Sequence, residues 1–289
     1  GTVLWAFRIG NNQDDAANGV AIDPTGNIYV TGYLQNIADL KGTLSSPSTT
    51  FTSAGGKDFW VAKYNPAGHL IWARQGSGSS NEEGKNICVN ATGVFVTGYY
   101  TASATFGSLS TFNPSTNENA FVINYDLNGN ELWLADAGTS TDAYGNDVVA
   151  DQNNVYIIGE YRGNGLSINN SIGVLSNSLV NTAPSKFDAF VAAWTTAGAY
   201  VWSGAIESSG NDYGKGIAKG VNGIFVTGSV ENSANFPNYV SNPISTSGSN
   251  LDFYLARIDE TSGVTQWVKI ESGGGGDDDP EEQIGRAHV

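Results

Sequence analysis

Apolar and aromatic residues along this chain gather in short runs separated by Gly, Asn, Asp, Ser and Thr. Ile28-Tyr29-Val30-Thr31-Gly32 recurs as Val94–Gly98, Val155–Gly159 and Ile224–Gly228. A second run, Asp58-Phe59-Trp60-Val61-Ala62-Lys63-Tyr64, recurs from Asn119, Asp188 and Asp252. A third ends in Trp: GTVLW, GHLIW, GNELW, GAYVW and GVTQW, with the tryptophans 67, 61, 69 and 65 residues apart. Runs this short and this rich in β-branched and aromatic residues predict strands. The punctuation predicts hairpins: Asp23-Pro24-Thr25-Gly26, Asn65-Pro66-Ala67-Gly68 and Asp126-Leu127-Asn128-Gly129 combine a side chain that opens a turn with a Gly that closes it.

Each unit therefore has four strands. The first strand is the least apolar, and Ala17, Gly84, Gly145 and Gly214 stand at its start, as crowding near a narrow axis requires. The connections between second and third strands, such as 34–57 and 162–187, predict polar loops on one face. Four antiparallel strands repeated about every 65 residues describe a propeller blade, which needs a neighbour on either side. The expected fold is all-β: a β-propeller of four-stranded antiparallel blades, about four present, as part of a larger propeller.

The boundaries follow the repeat. Residues 1–10 are expected to be the last strand of a preceding blade. Blades 1 to 4 span 11–75, 76–136, 137–205 and 206–270, and a further blade starts over 271–282. Gln283 to Val289 breaks the pattern and resembles the translation of a short-read sequencing adapter, so 283–289 is expected to be non-native.

Composition agrees with many short strands. There are 37 Gly, 11% aromatic residues and only 14% charged ones. No apolar run is long enough to cross a bilayer, so membrane insertion is not expected. A formal charge of −15 argues against nucleic acid. Cys88, the single cysteine, is expected to be a buried strand residue, and His69 an exposed turn residue.

The succession Asp212-Tyr213-Gly214-Lys215-Gly216-Ile217, G-N-I-Y-V-T-G, D-F-W-V-A-K-Y and G-x-L-x-W resembles the SBBP-type β-propeller repeat of bacteria over roughly residues 1–282. The resemblance implies a module without catalytic residues, in an exported or cell-surface protein with neighbouring domains, and the family name implies seven blades.

The candidate chemistry is sparse. One usable His and one Cys leave no His/Cys metal site or nucleophile–His pair. No enzyme activity and no cofactor are expected. Calcium is the one ion for which the acids leave room: Asp15, Glu82, Asp142 and Asp212, with Asp14, Glu83, Asp277 and Asp278 beside them, all precede the first strand and are expected to ring one channel mouth. Asp58, Asp188 and Asp252 repeat in nearly every unit and read as structural. Phe112, Phe236 and Tyr239 are the loop aromatics that would either stack on a sugar or pin the loops. The expected role is binding a protein or glycan, extracellularly or at the cell surface. A quinoprotein-like dehydrogenase, suggested by segments such as Asp126 to Trp133, and a lectin are the alternatives.

Overall fold

Each hairpin begins where a side chain captures the backbone ahead of it. Asp126 Oδ1 accepts from the amides of Asn128 and Asn130, both at 2.8 Å, and Asn65 Oδ1 accepts from those of Ala67 and His69. The strands these turns join make up the fold. The computed structural model describes residues 1–10, 13–43, 48–113, 115–241, 243–246 and 250–271.

Blade 1 consists of β1 (Ala16–Ile22), β2 (Ile28–Lys41), β3 (Ser48–Tyr64) and β4 (Leu70–Gly78). Blade 2 has β5 (Glu82–Val89), β6 (Val94–Ala102), a small hairpin of β7 (Ala104–Phe106) and β8 (Leu109–Ser110), then β9 (Ser115–Tyr125) and β10 (Glu131–Gly138). Blade 3 has β11 (Ala143–Ala150), β12 (Asn154–Tyr161), a hairpin of β13 (Gly165–Asn169) and β14 (Leu175–Val180), then β15 (Asp188–Thr195) and β16 (Tyr200–Ile206). Blade 4 has β17 (Asp212–Gly220), β18 (Gly223–Glu231), β19 (Leu251–Ile258) and β20 (Thr265–Glu271). All pairings are antiparallel and the described residues form no helix. The innermost strands β1, β5, β11 and β17 follow one another side by side, and the four sheets form an open succession of propeller blades.

The second-to-third connections are not free loops. In blade 1 the connection prolongs the β2–β3 hairpin from Ile37↔Thr52 to Lys41↔Ser48, and in blades 2 to 4 it reaches back and extends the outer edge of the preceding blade. In blade 2, β7 pairs with β4 at Gly76↔Phe106 and Ser77↔Thr105. In blade 3, β13 pairs with β10 at Ala137↔Ile168 and Gly138↔Ser167. In blade 4 the bridge Glu207↔Asn235 does the same work. Behind each pairing a large apolar side chain plugs the core: Phe106, Ile168 and Phe236 are all buried. We term these segments latches.

One apolar layer fills each step between blades. Phe59 and Trp72 pack with Ile87, Val96 and Phe121; Trp133 and Phe95 with Ile157, Phe190 and Trp194; Trp202 and Tyr156 with Ile217, Val226 and Tyr254. The aromatics at 60, 121, 190 and 254 have no exposed surface, so their role is core. Burying a side chain of this size contributes about 1.5–3 kcal/mol. Cys88 is buried on β5 as expected, whereas His69 is half-buried.

Residues 1–10 are a correction: they form no strand, because among the described residues no third strand stands beside them to pair with. Trp5 nevertheless donates its indole N–H to Pro66 O at 3.1 Å, and Phe7 and Ile9 pack beside Leu34 and Leu40. Beyond Glu271, the expected further blade, Asp277, Asp278, His288 and the 283–289 tail lie outside the described residues.

Candidate functional site

The four acids expected to form one ring are not brought together. Asp15 accepts from the Gln35 amide at 3.0 Å. Asp142 is ion-paired with Arg162 and bonded to Glu118. Burial opposes its ionisation, but these partners overcome it and hold its carboxyl below the ordinary range. Glu82 and Asp212 are wholly buried and offer no surface to solvent. The strand register explains the mismatch. Glu82, Ala143 and Asp212 are equivalent, pairing with Tyr100, Tyr161 and Val230, so Asp142 stands one residue before the inward position. Among the described residues no three His, Cys, Asp or Glu side chains converge as a metal cluster.

The loop aromatics are placed as pins. Phe236 is 1% exposed and lies edge-on to Tyr254, with ring centroids 5.3 Å apart, which is the pinning arrangement of the two expected for it. Tyr239 packs partly buried beside it. Phe112 gives its amide to Asp136 Oδ2 at 2.7 Å and lies against Gly173 of the next latch. Phe112 also lines a 340 Å³ pocket between two latches, whose other walls are mainly amides and hydroxyls, among them Asn113, Asn119 and Ser167. Asn119 Oδ1 is buried there without a donor.

A more extensive feature runs along the blade ends where first strands begin. Partly exposed rings from three blades stand in a continuous row: Tyr99 to Tyr144 at 5.3 Å between centroids, Tyr144 to Phe187 at 6.4 Å, and Phe187 to Tyr213 at 5.8 Å. Cations attend it, with Lys85 over Tyr99, Arg162 over Phe187 and Lys215 over Tyr213. At one end Lys57 sits 3.9 Å above the ring of Tyr33.

The charges along the row interlock. Glu83 accepts from Lys57 at 2.8 Å and Lys85 at 2.9 Å, and also from the Tyr99 hydroxyl. Burial opposes ionisation of Glu83, but the two ammonium groups outweigh it and hold the carboxyl below its ordinary range. Glu160 bridges Asn146 and Lys215. Burial, with Glu118 and Asp142 nearby, pushes the Tyr144 hydroxyl up to about 12, so it is a neutral donor at any physiological pH. The surface thus offers flat apolar faces, hydroxyl donors and fixed charges of both signs, a composition suited to recognition. Repeat alignment did not single out these rings, because they occupy unlike positions: Tyr99 on a second strand, Tyr144 and Tyr213 on first strands, and Phe187 ahead of a third.

Comparison with known proteins agrees with the architecture. Residues 4–33 match the family model described as a beta-propeller repeat, SBBP. Over 223 residues, 66% of this chain, the sequence is 29% identical to an uncharacterized WD repeat-containing protein of Acanthamoeba polyphaga mimivirus. The matched stretch spans 16% of that protein's length. Fold and comparisons together support a repeat-built propeller.

Proposed function

We propose that this chain is a non-enzymatic recognition module of an exported or cell-surface protein, and that it binds an extended protein segment along the row Tyr99–Tyr144–Phe187–Tyr213. The ring spacing of 5.3 to 6.4 Å carries the reading. An extended peptide advances about 6.6 Å for every two residues, so alternate side chains of one strand fall near successive rings. Tyrosine faces bordered by Arg and Lys are the usual anchors of protein interfaces. The charge pairs at Glu83, Glu160 and Asp142 set register and exclude wrong partners more than they add affinity.

Panning a displayed peptide library against the chain tests this. The double variant Tyr144→Ala/Tyr213→Ala is expected to lose the selected peptides while keeping the parent's unfolding midpoint, since both rings are partly exposed. Selected peptides that bind parent and variant equally would sink the reading. A glycan array run on the same proteins addresses the second reading, a sugar seated in the amide-lined pocket by Phe112 and Asn119. Sugar binding abolished by Asn119→Ala and untouched by Tyr144→Ala would move the site there.

A further inference from the structure

Among the described residues, two of the three steps between blades bury a pair of carboxyls with no cation beside them. In the first, Asp58 of β3 faces Glu82 of β5; in the second, Asp188 of β15 faces Asp212 of β17. Asp58, Glu82, Asp188 and Asp212 all show 0% exposure. Neither oxygen of Glu82 and neither oxygen of Asp188 has a hydrogen-bond partner, and Asp58 Oδ1 and Asp212 Oδ2 also lack one. The Tyr161 hydroxyl stands beside Asp188 and 3.3 Å from Val180 O. Glu82 Oε1 and the Ser103 carbonyl oxygen close on the same side of Gly78, where an added Cβ would meet them at 2.5 and 2.6 Å. Donors reach only part of each pair: Gln75 Nε2 and the Ala54 amide bond Asp58 Oδ2, and Ser208 Oγ and the Glu231 amide bond Asp212 Oδ1.

The third step is the internal control. Register places Asn119 where Asp58 and Asp188 stand, and Ala143 where Glu82 and Asp212 stand. Both carboxyls are therefore present or both are absent. An apolar or amide pair suffices to pack a step, so the acids are not needed to join blades. Buried carboxylates without compensation are strongly unfavourable, and a partner of opposite charge is what makes them tolerable.

We propose that these two steps are calcium sites, one between Asp58 and Glu82 and one between Asp188 and Asp212, each tying one blade to the next. Calcium accepts mixed shells of carboxylate, main-chain carbonyl and water oxygen at about 2.3–2.6 Å. Two carboxylates match its charge, and carbonyls such as that of Ser103, with water, complete the shell.

The test is calorimetric titration of the chelator-treated chain with CaCl₂ at pH 8.5, with Tb³⁺ luminescence read in parallel through the tyrosine at Tyr161. Two equivalents are expected, one lost in Glu82→Gln and the other in Asp188→Asn/Asp212→Asn. Asn119→Asp/Ala143→Glu should add a third. The parent titration decides even if a variant fails to fold: no uptake by the folded chain up to about 5 mM, above the range of weak extracellular sites, overturns the proposal. Unaltered stoichiometry in folded carboxamide variants also overturns it. So does stability that responds to pH and not to calcium, which would assign the steps to buried protons.

Discussion

Trp72 and Leu127 belong to different blades, and the indole N–H of the first donates to the carbonyl of the second at 3.1 Å. The relationship repeats at each step: Trp5 to Pro66, Trp133 to Thr196 and Trp202 to Glu260, at 2.9 to 3.1 Å. Each indole also lies on the glycine of the turn it bonds. At Gly129, φ is 84° and an added Cβ would sit 2.7 Å from Trp72 Cδ2. One fourth-strand residue thus reads both the carbonyl and the missing side chain of the next blade's turn.

Two substitutions separate those contributions. Gly129→Ala is expected to destabilise by about 2–4 kcal/mol, combining left-handed strain with overpacking against the indole. Trp72→Phe keeps a ring and loses the donor. Because Lys63 Nζ also donates to the Leu127 carbonyl at 3.0 Å, the acceptor is not orphaned, and the loss should be nearer 1 kcal/mol. Urea unfolding midpoints measure both, and equal losses would contradict the assignment.

The latches should matter for stability. Asp136 is almost fully buried and accepts from the Tyr100 hydroxyl, the amides of Phe112 and Asn113, and the side-chain amides of Asn113 and Asn169. It ties the segment that follows the blade 2 latch and the latch of blade 3 to β10. Asp136→Ala strands several donors at once and is expected to cost about 3 kcal/mol or more. Phe236→Ala should cost about 3–5 kcal/mol by emptying a core site. It should leave ligand binding by the folded fraction unchanged, as thermal melts and peptide binding would show.

Strands, turns and the tryptophan series were legible in the sequence because each depends on local chemistry repeated four times. The latches were not. β7 spans only Ala104–Phe106 and β8 only Leu109–Ser110, too short to show alternation, and their partner edges are supplied by another blade. The acids misled for a related reason: Asn81-Glu82, Asp142-Ala143 and Asn211-Asp212 look equivalent by eye, and only strand register shows that Asp142 is one residue early. The ring row is a tertiary product. Tyr144 meets Phe187 across 43 positions that no repeat alignment places together.

The buried acids make stability pH-dependent once divalent ions are removed. Burial raises Glu82, Asp188 and Asp212 each to about 8, helped by Asp58, by Glu207 and by Asp188 respectively. In the unfolded chain they titrate near 4.5, 3.8 and 3.8. The folded state therefore keeps protons that the unfolded state releases. Their contribution is fully present below about pH 4 and is lost progressively as pH rises to about 8, with little further change above. Melts in chelator from pH 5 to 9 should show a falling midpoint, flattened in Glu82→Gln/Asp188→Asn/Asp212→Asn. A parent midpoint independent of pH would refute the assignment of buried, uncompensated acids.

The start of each latch calls for a left-handed backbone, and one blade supplies an unfavourable residue. Gly163 and Asn232 open their latches at φ values of 98° and 69°, and Ala102 does so at 61°; Asn36, at 60°, takes the same backbone at the register shift of β2 in blade 1. Glycine meets no steric penalty there and asparagine is tolerated through local hydrogen bonding, whereas alanine brings its Cβ against the backbone at about 1–2 kcal/mol. Ala102 lies on the pairing between β6 and β9 just before Ala104 enters the β4 edge, so the strain sits where the chain turns from one blade to the other. Ala102→Gly should stabilise the chain by about 1 kcal/mol, the relieved strain exceeding the added unfolded-state entropy. Ala102→Asn should give part of that gain. Ala102→Val should do the reverse, since a β-branched side chain resists positive φ most. If chemical denaturation ranks the three in any other order, the left-handed turn at the head of the latch is not what constrains this position.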